Sequence, residues 1–169
     1  MKYALPRHLL SIAVLPFMMA VAIPIWVART NGVRFHIGSS VTEVAIQILG
    51  LIAGVIGVLL FVSSLQRFAT EGDGTLAPWD PPRKLVVRGP YRYVRNPMIS
   101  GVIFIQFAEA LVLLSKPHAL WALTFLAANF IYIPLLEEPQ LKLRFGKEYE
   151  DYCRHVPRLF PRLSPYEGT

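Results

Sequence analysis

Two stretches of this chain carry side chains able to hold a small charged ligand. One is Arg88–Pro97, RGPYRYVRNP, and the other is the pair Glu137-Glu138. Guanidinium groups grip carboxylates, tyrosine rings offer a face for stacking, and paired carboxylates take ammonium groups or ribose hydroxyls. Each stretch also has a plainer reading. Arg88, Arg92 and Arg95 fit the cationic bias of cytoplasmic membrane loops. The two glutamates fit a polar membrane edge, or partnership with those arginines, because an unpaired carboxylate buried there is costly. Charge bias does not ask for Gly89-Pro90 before Tyr91, or for Asn96-Pro97 at the membrane. Nor does it ask for Gly101 one turn inside, where a missing side chain lets a ligand or a helix approach the backbone.

The elements that must position these residues are apolar. The chain has 169 residues, 54% hydrophobic and only 17% charged, which is too apolar for an ordinary soluble domain. The apolar residues gather in four blocks, Leu9 to Ala28, Val41 to Ser64, Met98 to Ser115 and Ala119 to Leu136, none containing Lys or Arg. At 1.5 Å per residue each crosses, or nearly crosses, a hydrocarbon core of about 30 Å. The expected fold is all-α, a polytopic membrane protein of about four transmembrane helices forming one domain over 1–169. Its parts are two N-terminal spans (1–64), a cytosolic loop (65–97), a helical hairpin (98–136) and a cytosolic tail (137–169). The first block is longer than a signal-peptide core, so it is expected to be a retained anchor.

Finer features follow from particular residues. Pro16 and Pro24 predict a kinked or bent first span. Gly50, Gly54 and Gly57 predict close helix packing, more within one molecule than as a dimer face. Thr70 to Pro82 is irregular, and Leu85-Val86-Val87 lies against the membrane or forms a lid. Gln106, Glu109 and Asn129 lie deep in the hairpin, where a hydrogen bond between Glu109 and Asn129 is expected. Pro139 opens a tail helix whose Leu141, Phe145, Tyr149, Tyr152 and Val156 recur on one side, with Pro157 and Pro161 ending it.

Charge excludes some functions and orients the chain. The net charge of +6 calls for no nucleic acid and suits the anionic headgroups of a bilayer. The four histidines lack ligand spacing, which argues against a metal, and the single cysteine, Cys153, rules out an intramolecular disulfide. With four spans, fourteen Lys and Arg fall on the side of the loop and both termini, against three on the other. The chain is therefore expected in a bacterial inner membrane with both termini cytoplasmic.

GPYRYVRNPM followed by Gly101, and then EEPQLKLRFGKEYEDYCRHVPRLFPR, together resemble the isoprenylcysteine carboxyl methyltransferase and phospholipid N-methyltransferase group of integral membrane enzymes. That group carries GPY-x-x-x-R-[HN]-P before one helix of a hairpin, and E-E, F-G-x-x-Y-x-x-Y and V-P-R after it. The resemblance covers roughly residues 75–162. It implies S-adenosylmethionine as methyl donor, with Tyr91, Arg95, Asn96, Pro97 and Gly101 as one wall of its site and Glu137 and Glu138 as the other. The chain departs from the group where Ile99 and Ile133 replace a frequent Tyr and Arg, and where Asn96 replaces the His of the prenylcysteine branch.

Methyl transfer from a sulfonium is an in-line displacement, so the protein mainly aligns the reactants and keeps them dry. A carboxylate or thiolate acceptor needs no general base, whereas an ammonium must first lose a proton. With no histidine near the motif, carboxylate O-methylation of a lipid-like or prenyl-cysteine-like acceptor is favoured. Arg144, Arg154 and Arg158 are the candidates to hold that acceptor's negative charge, and Arg95, which would grip the donor's carboxylate or order the pocket, joins Arg144 and Arg158 as a candidate catalytic residue. The alternatives are phospholipid headgroup N-methylation and a non-catalytic membrane scaffold or assembly protein. Single-cysteine labelling of intact cells is expected to find the 70–95 loop and the tail shielded from outside, and labelling of either from outside contradicts this topology.

Overall fold

The computed structural model describes residues 13–71 and 84–167, apart from the side chains of residues 13–15, 68 and 69. Lys2, Arg7 and Arg83, counted above for charge bias, and nearly all of the Thr70–Pro82 loop lie outside the described residues. Among the described residues there is no β-strand. A π-helical stretch, Ala13–Ala22, leads into α1 (Ile23–Thr30), and a 31-residue helix, α2 (Val41–Glu71), follows. A short 3-10 turn, Gly89–Arg92, precedes α3 (Pro97–Val112) and α4 (Lys116–Tyr132). A π-helical turn, Ile133–Glu137, then joins α4 to α5 (Glu138–His155).

Two of these helices are long and apolar enough to cross a membrane, Val41–Arg67 and the continuous run Lys116–His155. Apolar character in the second run ends at Leu136, where Glu137 begins the charged tail. Pro16–Thr30 and Pro97–Val112 are apolar but shorter. Val55, Leu59 and Leu123 point outward, each at least half exposed. Such surfaces need apolar surroundings.

α2 and α3 meet along a seam of small residues. A Cβ built on Gly57 would lie 2.8 Å from the Gly101 carbonyl oxygen, and one on Gly101 would lie 2.8 Å from the Gly57 oxygen. One on Gly50 would strike Leu111 and Val112, while Gly54 faces Ala108 at 3.3 Å. Spacings of four and three keep these residues on one helical face. The seam therefore belongs to packing within the chain. Gly101 faces this seam, a correction to its expected place in the donor wall: the approach it permits is that of a helix.

Pro16 falls inside the π-helical stretch and Pro24 in the first turn of α1. Pro24 has no N–H to offer, and Met19's carbonyl, one π turn back, accepts instead from Gln106 Nε2 at 2.9 Å and Trp121 Nε1 at 3.3 Å. In apolar surroundings such a carbonyl must be satisfied internally, so this contact ties the N-terminal helix to the hairpin. At the far end of the hairpin Ser115 caps α4, and its hydroxyl meets His118 Nδ1 at 2.7 Å. His118 Nε2 reaches the Pro24 carbonyl at 3.2 Å. That carbonyl only accepts, so Nε2 carries the proton and Nδ1 accepts from Ser115. The expected Glu109–Asn129 bond is not formed. Asn129 donates to Phe125 O in its own helix, and Glu109 Oε2 has no partner among the described residues.

The tail helix starts near Pro139 and stops before Pro157, with Tyr149, Tyr152 and Val156 buried beside Leu141 and Phe145. Leu85 and Val87 pack on that cluster, so the Leu85–Val87 strip lies against the tail helix. One feature departs from the sequence reading: α5 is broken at Gly146 (φ 56°, ψ −132°). This backbone suits glycine, and the break turns the aromatic second half back over the loop.

Gly101→Ala should lower stability by about 1–3 kcal/mol, because rigid backbone stands where the methyl must go. Gly54→Ala meets only a side-chain methyl group and should cost less. Thermal unfolding in detergent compares them, and equal midpoints for the two variants would remove the seam from the account.

Candidate active site

The three arginines of the opening motif go three ways. Arg88 is exposed. Arg92 turns to the C-terminal segment, donating from Nε to the Tyr166 carbonyl at 2.6 Å, with Glu167 at 3.8 Å. Arg95 is buried. Its Nη1 lies 2.9 Å from Glu138 Oε1 in a pair whose side chains are 9% and 10% exposed, and 2.6 Å from Cys153 Sγ.

Glu138 is the hub. Besides Arg95 it receives Arg158 Nε on Oε1 at 2.6 Å and Nη2 on Oε2 at 3.0 Å. The two-pronged grip that guanidinium chemistry permits is thus made by Arg158. Burial alone would raise the Glu138 pKa, but the Arg158 bonds and the charges of Arg95, Arg158 and Lys142 hold it below the ordinary 4.5. Arg158, expected to hold an anionic acceptor, is instead engaged with a carboxylate of its own chain. Arg144, expected beside it, sits exposed on α5 before the Gly146 break.

Backbone bonds bring motif and tail together. Arg95 N donates to Pro157 O at 2.8 Å and Asn96 N to Arg158 O at 3.2 Å. In the other direction, Arg162 N donates to Tyr93 O at 3.0 Å and Tyr166 N to Arg92 O at 2.8 Å. The Asn96 side chain also donates to Arg158 O at 3.2 Å, so it holds the tail. Pro97, fully buried, starts α3. Sequence reasoning missed Ser100, whose hydroxyl donates to Leu159 O at 2.7 Å. Its place one turn after Asn96 was the available signal. It also read Tyr152 only as part of an apolar face, whereas its hydroxyl donates to Tyr91 O at 2.5 Å.

Three polar groups around this hub remain open. The Tyr91 hydroxyl and Arg95 Nε are buried without a hydrogen-bond partner among the described residues. Glu137 makes no ion pair there, and burial and then its neighbour Glu138 push its pKa up to about 7 against the pull of Arg95. Burial also pushes the Tyr91 phenol up. Buried polar groups are rarely left unsatisfied without a reason. Beside the hub the ground is apolar: Ile99, Ile103, Ile133 and Leu159 form one cluster, so both departures from the resembled pattern meet there. No group of His, Cys, Asp and Glu among the described residues could hold a metal ion.

Comparison with known proteins gives first the class, the membrane methyltransferases. The family is the phospholipid methyltransferase family, whose model matches residues 45–148, and the chain belongs to it. The chain is 37% identical over 82 residues to methanethiol S-methyltransferase 2 of Bradyrhizobium diazoefficiens, a match covering 47% of this chain and 29% of that protein. The match thus spans less than a third of the relative's length. No solved structure matches.

Arg158→Lys keeps the charge but cannot span both oxygens of Glu138. It should lower stability by about 1–2 kcal/mol. Glu138 has a depressed pKa, so its contribution is fully present above about pH 4.5 and is lost as pH falls through its folded value. The gap between wild type and variant in thermal midpoint should therefore be wide at pH 7 and narrow on acidification. A gap independent of pH contradicts the assigned pairing.

Proposed function

We propose that this chain is an S-adenosylmethionine-dependent methyltransferase of the cytoplasmic membrane, with four spans, that methylates a small uncharged thiol. The observation carrying the donor assignment is the Glu138 hub: a buried carboxylate joined to arginines of two other segments, with Tyr91 OH and Arg95 Nε left open beside it. The open groups match the donor's mixed chemistry. Arg95 suits its carboxylate, Glu137 its ammonium or ribose hydroxyls, and Tyr91 its adenine edge or face. When bound, the donor supplies a methyl group on a sulfonium, activated for displacement. The protein's own part is to orient the acceptor and exclude water, which the apolar helices and the tail strapped over the motif favour.

The acceptor reading rests on what surrounds the hub. A carboxylate acceptor wants a cation of its own, but Arg158 is engaged with Glu138, and Arg95, also bonded there, has only Nε open, which the donor's carboxylate takes. The Ile99–Ile133–Leu159 cluster suits an uncharged, apolar acceptor instead. A thiol fits that ground, and the matched relative is named for thiol methylation. Phospholipid headgroup N-methylation is the second reading, favoured by the family's description.

Purified protein in lipid is to be given labelled S-adenosylmethionine with, in separate reactions, a short alkanethiol, phosphatidylethanolamine and a prenylcysteine. Label in the methyl thioether supports the thiol reading, and label confined to either other acceptor replaces it. Glu138→Ala and Arg95→Ala should each weaken donor binding more than tenfold, or about 1.4 kcal/mol, in calorimetry. Unchanged affinity in both moves the donor site elsewhere.

A further inference from the structure

We propose that a groove between α1 and the start of α4 binds an anionic phospholipid, a role separate from methyl transfer. The groove encloses about 610 Å³, within the range of small-molecule sites. α4 begins at Lys116 and leads through the π turn to Glu138, so the groove and the Glu138 hub lie at opposite ends of the hairpin. Val27 of α1 and its cap residue Asn31 form one wall. On α4, Pro117, Leu120, Trp121 and Thr124 recur at spacings of three and four and form the other. Trp121 Nε1 donates to Met19 O and His118 Nε2 to Pro24 O, bonds that hold α4 against the N-terminal helix and keep the walls together.

The polar groups of the groove leave one donor for a ligand. The Asn31 amide is spent on Val27 O at 2.9 Å and Thr30 Oγ1 at 3.2 Å, and the Thr124 hydroxyl on Leu120 O at 2.8 Å. Trp121 Nε1 is taken by Met19 O, and Pro117 has no N–H. Lys116, which also lines the groove, is exposed and has no side-chain hydrogen bond or ion pair among the described residues. No acidic residue stands among the described lining residues. The ammonium lies at the start of α4, about 12 Å along the helix axis from Thr124, with Leu120 and Trp121 between them. Charge at one end followed by apolar ground is the order of a phospholipid, whose phosphate leads into acyl chains. A free phosphate would leave Leu120, Trp121 and Val27 uncovered, and a neutral apolar ligand would leave the ammonium unanswered.

A lysine and a tryptophan near a helix end anchor many membrane helices at the interface. Anchoring alone asks for no groove between two helices, and it makes Arg34 the equal of Lys116. Arg34 is exposed beyond α1, in the segment that Gln47 Nε2 joins to α3 by bonding both His36 O and Val112 O. It therefore sits at the same end of the hairpin without lining the groove, and the two cations separate a built site from general edge charge.

The test titrates the detergent-purified chain with phosphatidylglycerol and, separately, with phosphatidylcholine of the same acyl chains, and reads bound lipid by native mass spectrometry. Wild type should bind one phosphatidylglycerol about fivefold or more tighter than phosphatidylcholine, the worth of one lysine beside an anionic lipid. Lys116→Gln should remove that preference, and Arg34→Gln should keep it. Thr124→Phe, which puts a ring into the groove, should weaken both lipids about tenfold, as for roughly two methylenes left unburied. All three positions are exposed, so each variant should keep its wild-type thermal midpoint without added lipid. Equal affinity of wild type for the two lipids, or equal loss of preference in Lys116→Gln and Arg34→Gln, overturns the proposal. So does a mass of two chains that Thr124→Phe reduces to one, which gives the groove to a second copy.

Discussion

A carboxylate buried at the membrane edge must be neutralised, and in this protein the partners of Glu138 come from opposite sides of the hairpin in sequence. Arg95 precedes the hairpin and Arg158 follows it by more than twenty residues. The 3-10 turn, the hairpin, the π turn and the tail can satisfy Glu138 together only if the tail folds back over the motif. Removing one partner from a buried pair leaves a stranded charge, typically at a cost of about 3–5 kcal/mol. The partial exposure of Arg158 (30% of its side chain) puts its share lower. The same closure leaves Tyr91 OH and Arg95 Nε as the open valences of the site.

The helices supply the frame on which that closure depends. The glycine seam fixes α2 against α3, so the start of α3, with Asn96, Pro97 and Ser100, has a fixed position for the tail to meet. At the opposite end, Met19 O and Pro24 O are satisfied by Gln106, Trp121 and His118 of the hairpin. Polar atoms in apolar surroundings have few alternative partners, and such contacts specify where the N-terminal helix lies. Gly146 does the corresponding work in the tail, turning Tyr149, Tyr152 and Cys153 toward the loop.

Much of this was legible in the residues. Block lengths marked the long apolar helices, the short Lys116-Pro117-His118 gap between the last two apolar blocks marked the hairpin, and the spacing of Leu141, Phe145, Tyr149, Tyr152 and Val156 marked the buried face of the tail helix. The partnership of the glutamates with the motif arginines was one of two open readings, and pairing for Glu138 is what the structure shows. Spacing could not say which glutamate would be paired, because that depends on the path of the tail. Nor could it show that Arg158, and not Arg95, makes the two-pronged grip, or that Gly101 faces Gly57. The expected Glu109–Asn129 bond failed because Asn129 found a carbonyl one turn back in its own helix. Helical backbone often offers that local partner, and a sequence pattern does not register it.

Amide hydrogen exchange in lipid, comparing wild type with Glu138→Gln, tests the central claim most directly: that one buried carboxylate closes the tail over the motif. The amides of Arg95, Asn96, Arg162 and Tyr166 bond across the closure. They should be protected together in the wild type and lose protection together in the variant, while those of α2 and α3 stay protected. A tail that exchanges at the same rate in both proteins would contradict the account.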